Sequence, residues 1–242
     1  SLADYMLMME AAWHITNQNP LGAAAGYGSS FPLNRTMTTQ LLGFEDLDYN
    51  VVYAQMGRGK TERIIGFALA AVAETVGRLA VDGCMYTSQN FGFIHLPKQM
   101  TTGSSIMPHK KNPDVFELIR AHCNKIQGMP NTIRLITGNL PSGYFRDMQI
   151  TKEVFIPVFN EMKDCLDIAS YAIENMEVVD GIMDDPKYKL AFSVEEVNSE
   201  INHTHEGSIG NLCTDKIKAK MDRVIGQFGF EKVESAIEKL TK

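Results

Sequence analysis

Residues 49–89 read YNVVYAQMGRGKTERIIGFALAAVAETVGRLAVDGCMYTSQ. Val52, Met56, Ile64, Phe67, Ala71, Thr75 and Leu79 recur at spacings of three, four or a doubled four, which is the period of one face of an α-helix. The spacing predicts one long helix or two abutting ones. Gly66, Ala70, Ala73, Gly77 and Ala80 run through the same segment. Small residues at such positions let a second helix approach closely. The longest apolar run, Ile64 to Ala73 with Gly66 inside it, is about ten residues, half of the roughly 20 that a bilayer span needs. No transmembrane helix is expected.

Helical spacing continues on both sides. Residues 1–18 read as a helix stopped by Asn17-Gln18-Asn19-Pro20, and residues 20–36, PLGAAAGYGSSFPLNRT, read as a loop. Phe91 to Ser105 is a second loop, holding Gly92, Pro97 and Gly103. A helix then starts sharply, with Asn112 as N-cap, Pro113 in first position and Asp114 in the first turn. Val115, Leu118, Ile119, His122, Cys123 and Ile126 carry it on, with His122 expected on the apolar face. After a loop at 139–147, residues 150–178 are helical again, with Pro157 expected to kink or cap. Shorter helices fit 187–200, 211–225 and 229–240. There is no sustained period-two alternation and no hairpin signal. The fold class is all-α, with helices long enough for a bundle.

The chain has 242 residues, 44% hydrophobic and 21% charged, which suits one large domain or two small ones. Its 29 acidic and 23 basic residues leave a net charge of −6, which argues against a nucleic-acid-binding face but not against a basic pocket. Ser1-Leu2-Ala3-Asp4 lacks the basic start of a signal peptide. Cys84, Cys123, Cys165 and Cys213 show no C-x-x-C spacing, so free thiols and a cytoplasmic location are expected. The first residue is not Met, and helical spacing is already under way from Leu2, so a fragment of a longer chain is expected.

The chemistry lies in Thr101 to Arg120, TTGSSIMPHKKNPDVFELIR. Gly103-Ser104-Ser105 can bring backbone N–H groups near a ligand, Lys110 and Lys111 add two cations, and a helix N-terminus begins at once after them. Together these make an anion site. Such a site would stabilise negative charge developing on a substrate carboxylate. A serine in that field becomes a usable base, which a free hydroxyl near neutral pH is not.

This string resembles the GSSxMPxKxNP signature of the fumarase/aspartase superfamily, whose members cleave C–N or C–O bonds and release fumarate. The paired lysines followed by NPDVFELIR look like the argininosuccinate lyase family. PLGAAAGYGSSFPLNR is similar to that family's PLGSGALAGTPFPIDR, and SGYFRDMQITKE to its AYNKDLQEDKE. The resemblance covers most of residues 1–180. It implies a central bundle of long helices with a small C-terminal helical domain, divided here as 1–155 (incomplete at its N-terminus) and 156–242. It implies a homotetramer with active sites shared between subunits, no cofactor and no metal, no nucleic-acid or membrane partner, and argininosuccinate as the small-molecule substrate.

Carried over residue by residue, Ser104 matches the catalytic serine, with Ser105 as the neighbouring alternative. Lys110 and Asn112 match groups that bind or polarise the carboxylate end, and Glu117 a carboxylate that pairs with the catalytic histidine. Tyr144, Gln149 and Lys152 match substrate-holding positions, the last two sharing a helix face at a spacing of three. Arg35 matches the family's Asp-Arg, with Asn34 in place of the Asp, so a substrate contact and a structural ion pair are both open. Phe145, Arg146 and Ile150-Thr151 depart from the family pattern.

The family's catalytic histidine lies in a Thr-His segment, and further substrate contacts in a Ser-Arg-Asn segment, both expected upstream of Ser1. The isolated chain is therefore expected to be inactive. His109 occupies the variable position of the signature, and His203-Thr204-His205-Glu206 reads as a polar loop rather than a metal site. Near Glu200-Ile201 the family's usual extra helix and loop do not follow, so a deletion in this subgroup and a disordered segment missing from the sequence are both open. The competing readings are another fumarate-releasing lyase, such as one acting on adenylosuccinate, and a non-catalytic helical scaffold retaining the lyase fold.

Overall fold

The computed structural model describes residues 1–103, 105–107, 109–182 and 203–229, together with 231, 234 and 238. Helix α1 is Leu2–Thr16, α2 Arg35–Leu42, α3 Val51–Met56 and α4 Lys60–Tyr86. They are followed by α5 Asp114–Ile136, α6 Thr151–Asn175 and α7 Thr214–Gln227. The all-α expectation holds. The stretch opened with is two abutting helices, α3 and α4. They are separated by Gly57-Arg58-Gly59, where Gly59 takes a left-handed φ of 80° that favours glycine. Glu62 reaches back to accept from the Gly59 amide at 2.6 Å, closing the first turn of α4.

The core is α4 laid antiparallel against α5, with α6 packed on both. Leu69, Ala73, Val76 and Ala80 of α4 meet Phe116, Ile119, Cys123, Ile126 and Ile133 of α5, and Val158, Met162, Cys165, Ala169 and Ala172 of α6. Glycine sets the approach of α4 to α5. A Cβ at Gly83 would stand 2.6 Å from the Phe116 ring, one at Gly77 3.1 Å from Cys123 Cβ, and one at Gly66 2.9 Å from Met129 Sδ. α4 is long and apolar enough to cross a membrane by length and composition alone, a test that the core helix of a soluble protein also passes. Its Glu74 and Arg78, paired at 3.0 Å, lie on the face away from α5.

α5 and α6 run through Pro130 and Pro157 respectively without ending. α6 continues past residues 155 and 156, and its buried side chains belong to the α4–α5 core. α7 leans on α1, where Lys220 Nζ lies 2.9 Å from Asp4.

Several expectations need correction. Helix α5 starts at Asp114, with Pro113 at its cap position and no side-chain cap. Asn112 does not cap, because its backbone is spent on a bridge to Thr102. His122 does not face the core: its ring is half-exposed and lies 3.5 Å from Glu161 of α6, since the buried stripe of α5 passes through Ile119 and Cys123 instead. α7 begins later than expected, because residues 203–211 form a hydrogen-bonded turn (Gly207 N–H to the Asn211 carbonyl, 2.7 Å) and Cys213 turns left-handed. Two strand pairs also occur. β1 (Gln18–Asn19) runs parallel to β2 (Asp46–Leu47), and β3 (Ile94–His95) antiparallel to β4 (Glu177–Val178). Two residues per strand are too few to leave an alternation in the sequence. The predicted helix at 187–200, the Glu200-Ile201 junction and most of 229–240 lie outside the described residues.

Candidate active site

At one end of the core, the C-terminus of α4 and the N-terminus of α5 enclose a cavity of about 750 Å³. Lys110, Lys111, His109, Glu117, His95 and Thr87 are among the side chains that line it. Lys110 and Lys111 are exposed, and the positive end of α5 opens onto the same space, so the cavity favours an anion. Glu117 sits in the first turn of α5, on the wall shared with Cys84. Burial pushes the Cys84 thiol up, Arg120 opposes this, and Glu117 adds to it. Among the described residues, no group of three or more His, Cys, Asp or Glu side chains is placed to hold a metal.

The loop carrying the signature leaves and returns through one point. Asn112 N–H donates to the Thr102 carbonyl at 2.9 Å, and Thr102 N–H to the Asn112 carbonyl at 3.3 Å. The cavity wall runs through Lys111 and Pro113, while Asn112 belongs to this stem. Ser104 lies outside the described residues; Ser105 is exposed.

The second group stands at the opposite end. Gln149 Nε2 donates to Tyr144 Oη at 2.8 Å, and Lys152 Nζ donates to Gln149 Oε1 at 2.9 Å. These two bonds leave free the Tyr144 O–H, the second Gln149 N–H and the remaining Lys152 N–H bonds, so the exposed group is rich in donors. Arg58 donates to the Met148 carbonyl at 3.1 Å, and Gly59 packs on Thr137 just beyond α5, which fixes this group beside the start of α4. From Glu117 to Ile136 the rise of α5 alone is roughly 30 Å. One copy of the chain therefore brings Lys110 and Glu117 together, and separately Tyr144, Gln149 and Lys152, but does not join the two groups.

Arg35 resolves into a tie between loops. Its guanidinium donates to the carbonyls of Leu21 (2.8 Å), Asp48 (2.8 Å) and Tyr49 (3.2 Å), so backbone oxygens, rather than the anticipated carboxylate, hold it. Asn34, beside it, caps α2 by accepting from Met37 N–H at 2.9 Å. Sequence reasoning missed His95, whose exposed position opposite Glu177 in the β3–β4 pair leaves no pattern to read.

The comparisons agree with a bundle of long helices that carries a cation-lined cavity at its signature loop. A family model described as lyase matches residues 6–128, and the chain belongs to that family. Within it, the chain is similar to argininosuccinate lyases. That of Parabacteroides distasonis is 58% identical over 99% of this chain and 60% of its own length, and that of Bacteroides fragilis 57% identical over 98% and 59%. A more distant one, from Stenotrophomonas maltophilia, is 42% identical over 67% of this chain and 38% of its own. The chain thus spans about 60% of the length of the curated relatives it matches. The alignment with the Parabacteroides protein runs over 268 residues, longer than this chain, so that relative carries residues the chain lacks. Among solved structures, an EDDS lyase variant with bound fumarate superposes with a TM-score of 0.66 at 18% identity, covering 99% of this chain and 60% of that one. A fumarate lyase:delta crystallin from Brucella melitensis gives 0.62 at 16% identity, covering 91% and 54%. Both show the shared fold, and the superfamily resemblance of the signature is borne out.

Proposed function

We propose that this chain is part of an argininosuccinate lyase that cleaves argininosuccinate to arginine and fumarate in cytoplasmic arginine biosynthesis. The observation that carries the reading is the separation of the two residue groups along α5, in a chain whose relatives are argininosuccinate lyases. A complete site needs the Lys110 end of one copy against the Lys152 end of another. Side-by-side copies with opposed helices supply that, and they also cover the exposed Phe67 and Val81 of α4, Leu118 and Leu135 of α5 and Ile156 of α6. The assembly proposed is the homotetramer of the family.

In this reading Ser104 removes the proton beside one carboxylate of the succinyl group. The electron pair moves into that carboxylate, whose extra charge Lys110, Asn112 and backbone N–H groups of the loop stabilise. The pair returns to form the double bond of fumarate as the C–N bond breaks, and arginine leaves with a proton from a histidine supplied by sequence not in this chain. Glu117 orients that histidine. Tyr144, Gln149 and Lys152 offer a cation and several spare N–H and O–H donors, which suits a carboxylate of the substrate. Arg35 contributes by holding the loops around it. Because α6 shares the core of α4 and α5, we place the start of the C-terminal domain after Asn175 rather than at 156. Ser104→Ala should abolish turnover with the assembly intact; near-normal turnover would remove the serine from this role.

A further inference from the structure

The stem of the signature loop is held by more than its backbone bridge. The Thr102 amide donates to Asp114 Oδ2 at 3.1 Å, and the Thr102 hydroxyl donates to the same oxygen. Asp114 stands in the first turn of α5, yet α5 has no side-chain cap: its carboxylate is turned away from the helix and onto Thr102. The stem stays closed one step further in, where a Cβ on Gly103 would lie 3.8 Å from the Lys110 carbonyl. A turn follows, in which the Lys110 N–H donates to the Met107 carbonyl at 3.0 Å. The Thr102–Asp114 contacts are exposed, so they add little to global stability. What they do fix is where Thr102 sits relative to α5, and Thr102 is the backbone partner of Asn112.

We infer that Thr102 and Asp114 are positioning residues. They clasp the loop stem to the rigid start of α5 and thereby hold Lys110 and Asn112 where charge develops in the transition state. The inference rests on the lyase reading above. A misplacement of about 1 Å in such a constellation costs on the order of 100-fold in rate. Stabilisation that acts only in the transition state is lost from kcat rather than from KM.

The test compares Thr102→Val, which keeps the shape and loses the donor, with Thr102→Ser, which keeps the donor. Asp114→Ala and Ser104→Ala are measured beside them, all in the full-length protein. Argininosuccinate cleavage, thermal midpoint and assembly size are recorded for each. The clasp predicts that Thr102→Val and Asp114→Ala lower kcat about 10- to 100-fold with KM within about threefold. It also predicts an unchanged assembly size and substantial recovery in Thr102→Ser. If Asp114→Ala does not fold, the Thr102 pair decides alone. Wild-type kcat in Thr102→Val beside an inactive Ser104→Ala would overturn the clasp and leave the lyase reading standing. A Thr102→Ser as impaired as Thr102→Val would also overturn it. No cleavage of argininosuccinate by the unsubstituted protein would overturn the lyase reading, and the clasp with it.

Discussion

Lys152 donates a 2.9 Å hydrogen bond to the side-chain carbonyl of Gln149, across the junction between a 3-10 turn (Arg146–Gln149) and α6. The spacing of three that suggested a shared helix face does bring the two together, although only Lys152 belongs to the α-helix. The ammonium fixes the Gln149 amide, and the amide in turn fixes Tyr144. Lys152→Ala removes both a cation and the anchor of that chain. A charge-assisted hydrogen bond is worth about 1.5–3 kcal/mol, so KM for argininosuccinate should rise roughly 10- to 100-fold in the proposed enzyme. An unchanged KM and rate would count against a substrate-holding role.

Gly83 and Gly226 make opposite predictions from one substitution. A Cβ at Gly83 meets the Phe116 ring at 2.6 Å, and that buried ring has no free end to swing away. Overpacking costs about 1–3 kcal/mol, against about 1 kcal/mol gained in helix propensity. Gly83→Ala should therefore gain nothing and lose up to about 2 kcal/mol in chemical denaturation. At Gly226, in the last turn of α7, nothing lies within 4 Å of the added carbon. Gly226→Ala should gain about 0.5–1 kcal/mol. A stabilising Gly83→Ala would mean that α4 and α5 are not so closely packed.

Cys123 and Cys165 face each other between α5 and α6 in the core. Burial, together with the neighbouring Cys165, pushes the Cys123 thiol up to about 12, and burial also raises Cys165. The thiolate is the reactive form, so neither should be alkylated by N-ethylmaleimide in the folded chain at neutral pH. Both should react once the chain is denatured, as read by peptide mass spectrometry. Rapid labelling of either in the folded state would contradict the packing of α6 on α5.

Glu161 predicts an acid-side dependence. Burial pushes its carboxyl up, but hydrogen bonds from Lys125 and His122, and their charges, outweigh this and hold it below the usual 4.5. A depressed folded pKa contributes stability that is present above the unfolded value and is lost as pH falls through the folded one. Wild type should thus lose stability relative to Glu161→Gln as pH drops below about 4.5, and the two should converge in acid. A constant difference from neutral pH into acid would show that this cluster does not act through its charge.

The long helices were legible because the periodicity of α1, α4, α5 and α6 is local and their small residues mark a close approach. The chemistry of residues 101–120 was legible as a string of cations, amides and a helix start. Other features depended on distant partners. Nothing near His122 announces Glu161, 39 residues away. Arg35 was found, but its three carbonyl partners come from loops at residues 21 and 48–49 that only folding brings together. Asn112 looked like a cap because Asn-Pro often begins a helix, yet its pairing with Thr102 moved the helix start to Asp114. The roughly 30 Å rise of α5 that separates the Lys110 and Lys152 groups is invisible in a list of matched residues and follows only from the unbroken run of that helix.

The central claim is a lyase whose site is completed by sequence and by copies beyond a single chain. It is tested most directly by following fumarate released from argininosuccinate, with this chain alone and with the part of the Parabacteroides distasonis relative that it does not span added. The account predicts no release from the chain alone and release on mixing. Turnover by the chain alone would contradict it, because a histidine already present, such as His95 or His109 at the cavity, would then be doing the work assigned to a residue outside this chain.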